Sequence, residues 1–288
     1  MTGGGAVGSL EVVTPRSLEE ALRFLAGHAN EGWIPLAGGT DLLVLLDKGA
    51  APGTRWLNLA ALRSELDRID HEDGLWRVGG LTTMTGLRRR RAGDTAFPGI
   101  VAEAAAVVGG LQIQNRATVA GNIANASPAG DTLPVWAVLE AEIVLASRQG
   151  ERRVPYHRFH RGYREIDREG DELIVELNFR MPQGGRTFFH KVGTRAAQAV
   201  SKVVLAGWVK TSGGRFAAVR LAAGSVAPVP VRLRETETAL TGAAVAPEAV
   251  EEALEALARD IRPIDDVRST AAYRTAVTRN LLRHYLLA

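Results

Sequence analysis

The pattern of apolar and polar positions in the first half of the chain predicts short strands that alternate with helices. Ser17 is a natural N-cap, Glu20 follows three residues later, and apolar residues recur at helical spacing from Leu18 to Leu25. Short apolar runs predict strands at 33–37, 56–59, 76–79 and 142–145. Further helices are predicted at 42–46, 84–91, 100–108 and 133–139.

The second half has a different pattern, in which strands dominate before two final helices. Alternating stretches separated by Gly- or Pro-containing turns predict strands at 172–179, 187–192, 202–210 and 216–223. Helices are predicted at 247–259 and 269–287. We therefore expect an antiparallel sheet backed by helices, an α+β unit, and a domain boundary between residues 175 and 185.

Residues 109–134 interrupt this pattern with an unusual composition. The segment is rich in Asn, Gln, Ser, Thr and Gly but carries only two charges, Arg116 and Asp131. An exposed linker normally carries more charge, and a core segment carries fewer amides. A loop that is buried against a polar ligand, and satisfies its own backbone, is expected here.

A glycine turn at 36–41 is the first candidate for ligand binding. Gly38 and Gly39 separate a predicted strand from a helix that Thr40 or Asp41 would cap. Glycines let backbone amides approach a phosphate closely. The turn has neither the lysine of a P-loop nor the G-x-G-x-x-G spacing, so an ordinary strand-to-helix turn remains an alternative.

A second candidate lies within the polar segment, where Thr118–Asn122 is followed by Ser127–Asp131. Small residues with hydroxyl and amide groups can line an extended polar ligand, and Asp131 can accept hydrogen bonds from sugar or ribityl hydroxyls. The alternative is a surface loop in which Asp131 caps the following helix. Two glycine loops in one domain favour a ligand that carries a diphosphate.

The amino-acid composition excludes several kinds of site and argues against several kinds of partner. The 288 residues contain 35 Lys and Arg against 32 Asp and Glu, and no cysteine, which excludes disulfides, a thiolate nucleophile and cysteine-bound iron–sulfur clusters in this chain. His157 and His160 are spaced for a shared metal but lack a third ligand in sequence, so no metal site is expected. The weak net charge of +3 does not favour nucleic acid as a partner. Without a membrane-length apolar run or a signal-peptide pattern at the N-terminus, we expect a cytoplasmic protein.

Four stretches together resemble one known family. PLAGGTDLL at 35–43, QIQNRATVAGNIANASPAGDTLP at 112–134, RSLEEAL at 16–22 and IRPIDDVRSTAAYR at 261–274 are similar to the FAD-binding medium subunit of the molybdenum hydroxylases, which include xanthine dehydrogenase and aerobic carbon monoxide dehydrogenase. The resemblance extends from about residue 10 to the end. It implies an α+β fold: a two-lobed FAD-binding domain of the vanillyl-alcohol-oxidase type over 1–178, then a smaller α+β domain with an antiparallel sheet over 179–288.

The resemblance also implies FAD as the cofactor and a set of residues around it. The first loop and the second loop would hold the diphosphate through amides and hydroxyls, Asp131 would bind ribityl hydroxyls with support from Ser127, and Ile174 and Lys191 would lie near the flavin. The implied cofactor-binding residues are Leu36, Ala37, Gly38, Gly39, Thr40, Asp41, Thr118, Val119, Ala120, Gly121, Asn122, Ser127, Asp131, Ile174 and Lys191. Ala120 stands where the family usually has glycine, so one backbone approach is expected to differ.

The implied function is electron transfer within a complex. A molybdenum–pterin centre on a large partner subunit and [2Fe–2S] clusters on a small partner subunit would feed this FAD, which would pass electrons to NAD, oxygen or a quinone. No catalytic side chain of this chain's own is implied, because the redox chemistry resides in the cofactor. A self-contained FAD-dependent oxidoreductase and a non-catalytic nucleotide-binding module are the alternatives.

Overall fold

The computed structural model describes residues 9–288. These residues form three β-sheets and a two-stranded ribbon, with helices between the strands. Residues 1–8, on which the expectation of no signal peptide partly rests, lie outside the described residues. The strands are β1 (Glu11–Val13), β2 (Ile34–Leu36), β3 (Arg55–Asn58), β4 (Ile69–Glu72), β5 (Leu75–Gly79), β6 (Glu142–Ser147), β7 (Gly150–Pro155), β8 (His160–Gly162), β9 (Glu165–Ile166), β10 (Leu173–Arg180), β11 (Arg186–Val192), β12 (Val203–Ser212), β13 (Arg215–Gly224) and β14 (Val231–Arg232).

The helices connect these strands and cover their faces. They are α1 (Leu18–Gly27), α2 (Leu42–Asp47), α3 (Arg63–Leu66), α4 (Met84–Gly93), α5 (Gly99–Ala106), α6 (Leu111–Gln114), α7 (Val119–Asn125), α8 (Leu133–Val138), α9 (Tyr156–Phe159), α10 (Arg234–Leu240), α11 (Pro247–Asp260) and α12 (Ala271–Leu287). In the part of the chain from residue 9 onward, no helix is both long enough and apolar enough to cross a membrane.

The first lobe is built on a parallel sheet in the order β1-β3-β2. Helix α1 begins as the sequence predicts: the Ser17 hydroxyl accepts a hydrogen bond from the Glu20 amide at 3.1 Å, and the Glu20 carboxylate accepts one from the Arg16 amide at 2.8 Å. Ala21 and Leu25 on its inner face are fully buried. The predicted strands near 33–37 and 56–59 are confirmed as β2 and β3.

The second lobe is a five-stranded antiparallel sheet in the order β4-β5-β10-β6-β7. Its central strand, β10, lies in the region that the sequence pattern assigns to the strand-rich second half. That assignment of the strand to the C-terminal sheet is wrong, because β10 pairs with β5 and β6. Seven of its eight residues are buried, and a strand covered on both faces has no alternation that reveals its neighbours.

The C-terminal part is the antiparallel sheet backed by helices that the sequence predicts. Its strand order is β11-β12-β13-β14, and helices α11 and α12 pack against it. The core between them is apolar and includes Leu205, Leu221, Leu254 and Leu282, all fully buried. Burial of such side chains stabilises the sheet by about 1.5–3 kcal/mol each relative to exposure.

Half of the polar segment 109–134 is helical, so the expectation of a loop is wrong for those residues. It contains α6, α7 and the start of α8. Every residue of α8 is buried, and the helix packs between the five-stranded sheet and strands β12 and β13. At its C-terminal end the Arg232 guanidinium donates to the Ala137 carbonyl at 3.1 Å. The Ala137 carbonyl also accepts from the Glu140 amide at 3.2 Å, so the Arg232 bond adds a second donor and ties α8 to the C-terminal sheet.

Candidate cofactor site

The glycine turn between β2 and α2 presents a row of open backbone donors. Gly39 has φ +73°, in the left-handed region that favours glycine. Within residues 9–288, none of the amides from Gly38 to Asp41 donates a hydrogen bond to protein. Buried or half-buried amides are normally hydrogen-bonded. Consecutive amides without a protein acceptor (open amides) can therefore bind a ligand that has several acceptor oxygens.

Asp41 occupies the N-cap position of α2, but its side chain makes no capping hydrogen bond, and neither does that of Thr40. The expectation that one of these side chains caps the helix is therefore wrong. Instead the Asp41 carboxylate accepts a hydrogen bond from the Asn125 amide group at 3.2 Å. Partial desolvation raises the pKa of the Asp41 carboxyl, and the nearby Arg164 guanidinium opposes that rise.

In the second glycine segment, Thr118–Asn122, the backbone amides from Val119 onward already donate to acceptors within the protein. Thr118 caps α7 by accepting from the Gly121 amide at 3.1 Å. The Val119, Ala120 and Asn122 amides each donate to a protein carbonyl at 2.9 Å. This segment therefore offers a ligand its hydroxyl and amide side chains and a rigid frame, rather than a row of free amides.

The methyl group of Ala120 is accommodated by a glycine opposite. It lies against Gly80, and a side chain at position 80 would collide with the Ile174 carbonyl oxygen and crowd Ala120. The backbones interlock there, because the Ala120 amide donates to the Gly80 carbonyl and the Gly80 amide donates to the Val175 carbonyl at 2.7 Å. Ile174, itself buried, is thus held beside the second segment.

The two glycine segments meet directly. The Arg116 guanidinium donates to the Gly38 carbonyl at 3.2 Å. The backbones are so close that a Cβ at position 38 would collide with the Arg116 carbonyl oxygen. Only glycine fits at this crossing, and the contact fixes the open amides of the first loop relative to α7.

Asp131 lies in a buried polar cluster that joins both halves of the chain. Its carboxylate accepts from the Lys191 ammonium at 2.7 Å and from the Ser201 hydroxyl. Lys191 also donates to the Val107 carbonyl at 2.8 Å. Burial raises the pKa of the Asp131 carboxyl, while the Lys191 ammonium and the Ser201 hydroxyl oppose that rise. The alternative in which Asp131 caps α8 does not hold, since Thr132 occupies the N-cap position and makes no capping hydrogen bond.

The segment around Asp131 is connected to the second glycine segment. The Thr132 hydroxyl donates to the Asn122 side-chain oxygen at 2.6 Å. Ser127 stabilises the intervening turn by accepting from the Ala129 amide at 3.3 Å, while its carbonyl accepts from Gly130. Contacts thus run without a break from the first loop through α7 to Asp131 and Lys191.

The structure adds residues that the sequence does not single out. Asn125 and Arg116 both lie in the polar segment 109–134, whose unusual composition indicates a site. Arg116 is also one of the two charged residues in that segment. Gly80 and Ser201 lie far along the chain from the residues they contact. Nothing local in the sequence marks these two.

The histidine pair does not form a metal site in the described part of the chain, residues 9–288, where no group of three or more potential ligands occurs. His160 instead forms a hydrogen bond through Nε2 with the Ile123 carbonyl at 3.0 Å. Burial lowers the pKa of His160, and this hydrogen bond opposes the shift. A neutral imidazole with Nε2 protonated fits that contact and supports the end of α7.

Comparison with known proteins shows the family to which the chain belongs. Residues 8–182 match the family described as the FAD binding domain in molybdopterin dehydrogenase, and residues 188–288 match the CO dehydrogenase flavoprotein C-terminal domain. The chain belongs to the FAD-binding family of the molybdopterin dehydrogenases. The family resemblance, the fold class, the FAD cofactor and the role of an FAD-binding oxidoreductase subunit are confirmed.

Relatives in this family match almost the whole chain. The glyceraldehyde dehydrogenase medium chain of Sulfolobus acidocaldarius is 30% identical over 93% of this chain and 94% of its own length. A xanthine dehydrogenase FAD-binding subunit of Escherichia coli O157:H7 is 31% identical over 90% of this chain and 88% of its own length. Carbon monoxide dehydrogenase from Hydrogenophaga pseudoflava superposes with a TM-score of 0.88 at 28% identity, covering 96% of this chain and 95% of that one.

The residues present fit the FAD of this family. A diphosphate needs several donors converging on it, and the open amides from Gly38 to Asp41 supply them. A ribityl chain needs an acceptor, and the Asp131 carboxylate has oxygens that can each accept more than the one hydrogen bond observed. The two groups of donors and acceptors are held by one continuous set of contacts.

Gly38 offers a direct test of the crossing between the glycine segments. In Gly38→Ala the added methyl collides with the Arg116 carbonyl, so we expect a loss of about 1–3 kcal/mol in the free energy of unfolding and a loss of bound FAD. Thermal denaturation and the flavin absorbance that remains after gel filtration measure these effects. Gly27→Ala is the control, because open space surrounds Gly27; equal behaviour of the two variants would contradict the account.

The ion pair between Asp131 and Lys191 offers a second test. Lys191→Met leaves a buried carboxylate uncompensated, so we expect the free energy of unfolding to fall by about 3–5 kcal/mol. The double variant Asp131→Asn with Lys191→Met removes both charges, and we expect it to regain most of that stability but not FAD binding. Denaturant unfolding checks both; a Lys191→Met variant as stable as the wild type would show that the pair is not needed.

Proposed function

We propose that the two glycine segments have different roles in FAD binding: the first binds the diphosphate and the second positions the first. The open amides from Gly38 to Asp41 donate to the diphosphate oxygens, and Leu36 and Ala37 bring the chain to that turn. The segment Thr118–Asn122 fixes the position of this loop and contributes hydroxyl and amide side chains. The support for this division is the hydrogen bonding: the first set of amides is open, whereas the amides from Val119 to Asn122 are all paired within the protein.

Asp131 accepts hydrogen bonds from the ribityl hydroxyls in this proposal, and Lys191 is its positioning partner. The ammonium group and the Ser201 hydroxyl hold the buried carboxylate in one orientation, because Lys191 binds one of its oxygens and Ser201 binds the other. Ser127 shapes the turn before Asp131, and Ile174 packs beside the flavin. FAD, when bound, supplies the one- and two-electron chemistry.

We further propose that the chain works between partner subunits. An iron–sulfur subunit would deliver electrons that originate at a molybdopterin subunit, and a final acceptor would remove them. The complete absence of cysteine supports this division, because cysteine-ligated clusters cannot reside in this chain. The relatives named as a medium chain or an FAD-binding subunit support it as well, since such names describe components of larger enzymes.

We propose that two units carry this function and that they divide between β10 and β11, a few residues after the boundary predicted at 178/179, which falls inside β10. Strand β10 ends at Arg180 in the five-stranded sheet, and β11 begins at Arg186 in the C-terminal sheet. Lys191 lies on β11, so the second unit completes the cofactor site of the first.

The complex can be tested by metal analysis. When the tagged full-length chain is isolated from its native cells, we expect FAD, iron and molybdenum to elute together, with the iron and molybdenum on other polypeptides. The isolated chain should bind FAD but contain neither metal. A native preparation that contains FAD and turns over an organic substrate without iron or molybdenum would favour a self-contained oxidoreductase instead. Loss of FAD from both preparations would contradict the cofactor assignment.

A further inference from the structure

Three side chains form a hydrogen-bonded relay from the buried helix α8 to the second glycine segment. The indole Nε1 of Trp136 donates to the Thr132 hydroxyl at 3.1 Å, and that hydroxyl donates to the Asn122 side-chain oxygen at 2.6 Å. Trp136 is fully buried and Thr132 is 1% exposed, whereas Asn122, on α7, is half-buried. The relay therefore runs from the protein interior to the edge of the proposed FAD site.

Thr132 does not have the role that is usual for a threonine at its position. A threonine at a helix N-cap ordinarily accepts a hydrogen bond from an amide in the first turn of the helix. Thr132 occupies the N-cap position of α8, and its side chain makes no capping hydrogen bond. Its hydroxyl accepts from Trp136 and donates to Asn122, so it connects α8 to α7 instead.

The donor and acceptor chemistry of the relay determines the orientation of the Asn122 amide. An indole N–H can only donate, so the Thr132 oxygen accepts from it and the one hydroxyl hydrogen remains for another partner. Among the described residues, that hydrogen has no acceptor other than the Asn122 oxygen. If the amide were turned over, its NH2 group would face the Thr132 oxygen and the buried hydroxyl hydrogen would lack an acceptor, which is costly. The oxygen therefore faces Thr132, and the NH2 group faces away from it.

The NH2 group of Asn122 is a free donor on the side of α7 that adjoins the first glycine loop. Asn122 and Asn125 are three residues apart, and such residues are neighbours on one side of a helix. The Asn125 amide group donates to the Asp41 carboxylate of that loop at 3.2 Å. In the part of the chain that the structure describes, the Asn122 nitrogen has no protein acceptor, and it is not buried. It is therefore available to an oxygen of a ligand held by the open amides.

We propose that Trp136 and Thr132 are positioning residues for FAD, which hold the Asn122 amide with its NH2 group toward the diphosphate. The inference rests on the FAD site proposed above, and it adds one side-chain donor to the backbone donors of the first loop. Both residues act through Asn122, since one is fully buried and the other nearly so. Without the relay the amide could present its oxygen, which cannot donate to a phosphate oxygen.

Variants of Thr132 in the full-length chain test this inference. Thr132→Val replaces the hydroxyl by a methyl group and frees the amide to turn, so we expect FAD to bind about tenfold more weakly in equilibrium titration. Thr132→Ser retains the hydroxyl and should bind FAD within about threefold of the wild type. Thr236→Val is the control, because it removes another fully buried threonine hydroxyl, one that donates to Asp260 at 2.7 Å in the C-terminal part.

A comparison of double variants separates positioning from a general loss of stability. In a chain that carries Asn122→Ala there is no amide to orient, so Thr132→Val should then change the FAD dissociation constant by less than about twofold. Trp136→Phe removes the indole donor, and its loss of affinity should likewise disappear in the Asn122→Ala chain. A variant that only weakened the fold would lose the same affinity in both backgrounds.

The titrations distinguish the relay from the site that it serves. Equal losses from Thr132→Val with and without Asn122, or a Thr132→Ser chain as weak as Thr132→Val, would overturn the inference. The same holds if Thr132→Val binds FAD as tightly as the wild type, and the FAD site would stand in that case. A wild-type chain that binds no FAD would instead contradict the site itself.

Discussion

The buried ion pair between Asp131 and Lys191 is the interaction on which the arrangement of the site depends. The carboxylate precedes α8, and the ammonium group lies on β11 of the C-terminal sheet, so the pair spans the two halves of the chain. Burying either charge alone is costly, and together they are stable only in a fixed geometry with further hydrogen bonds. Val107 and Ser201 supply those bonds. The acceptor proposed for the ribityl chain is therefore positioned by a sheet that is distant in sequence.

Close backbone contact is the second constraint, and it explains why glycine stands at particular positions. Gly38 lets the first loop touch Arg116, and Gly80 leaves room for the Ala120 methyl and the Ile174 carbonyl. As a result, a helix whose amides are fully used can support a neighbouring turn whose amides are open. A site built in this way binds oxygen-rich ligands through backbone donors, which lose no side-chain entropy on binding.

The sequence predicts much of this arrangement, because local patterns determine single elements. The capping residues of α1, the apolar spacing of α11 and the alternation in β12 are readable without tertiary context. The partners of β10 are not readable, since a strand buried on both faces carries no alternation and pairs across about a hundred residues. The glycine motifs indicate a phosphate-binding site, yet which of them has open amides depends on contacts such as that of Val119 with Thr82. Composition alone also presents segment 109–134 as a loop, although Thr118 caps a helix within it.

The first glycine turn provides open amides, whereas the second segment provides a frame whose amides from Val119 to Asn122 are paired within the protein. Amide hydrogen exchange with and without FAD tests this difference most directly, because exchange reports on each backbone donor. We expect the amides of residues 38–41 to exchange rapidly in the FAD-free chain and to become protected when FAD binds. The amides of residues 119–122 should be protected in both states. Unchanged exchange at 38–41 under saturating FAD, or protection at 119–122 that appears only with FAD, would contradict the account.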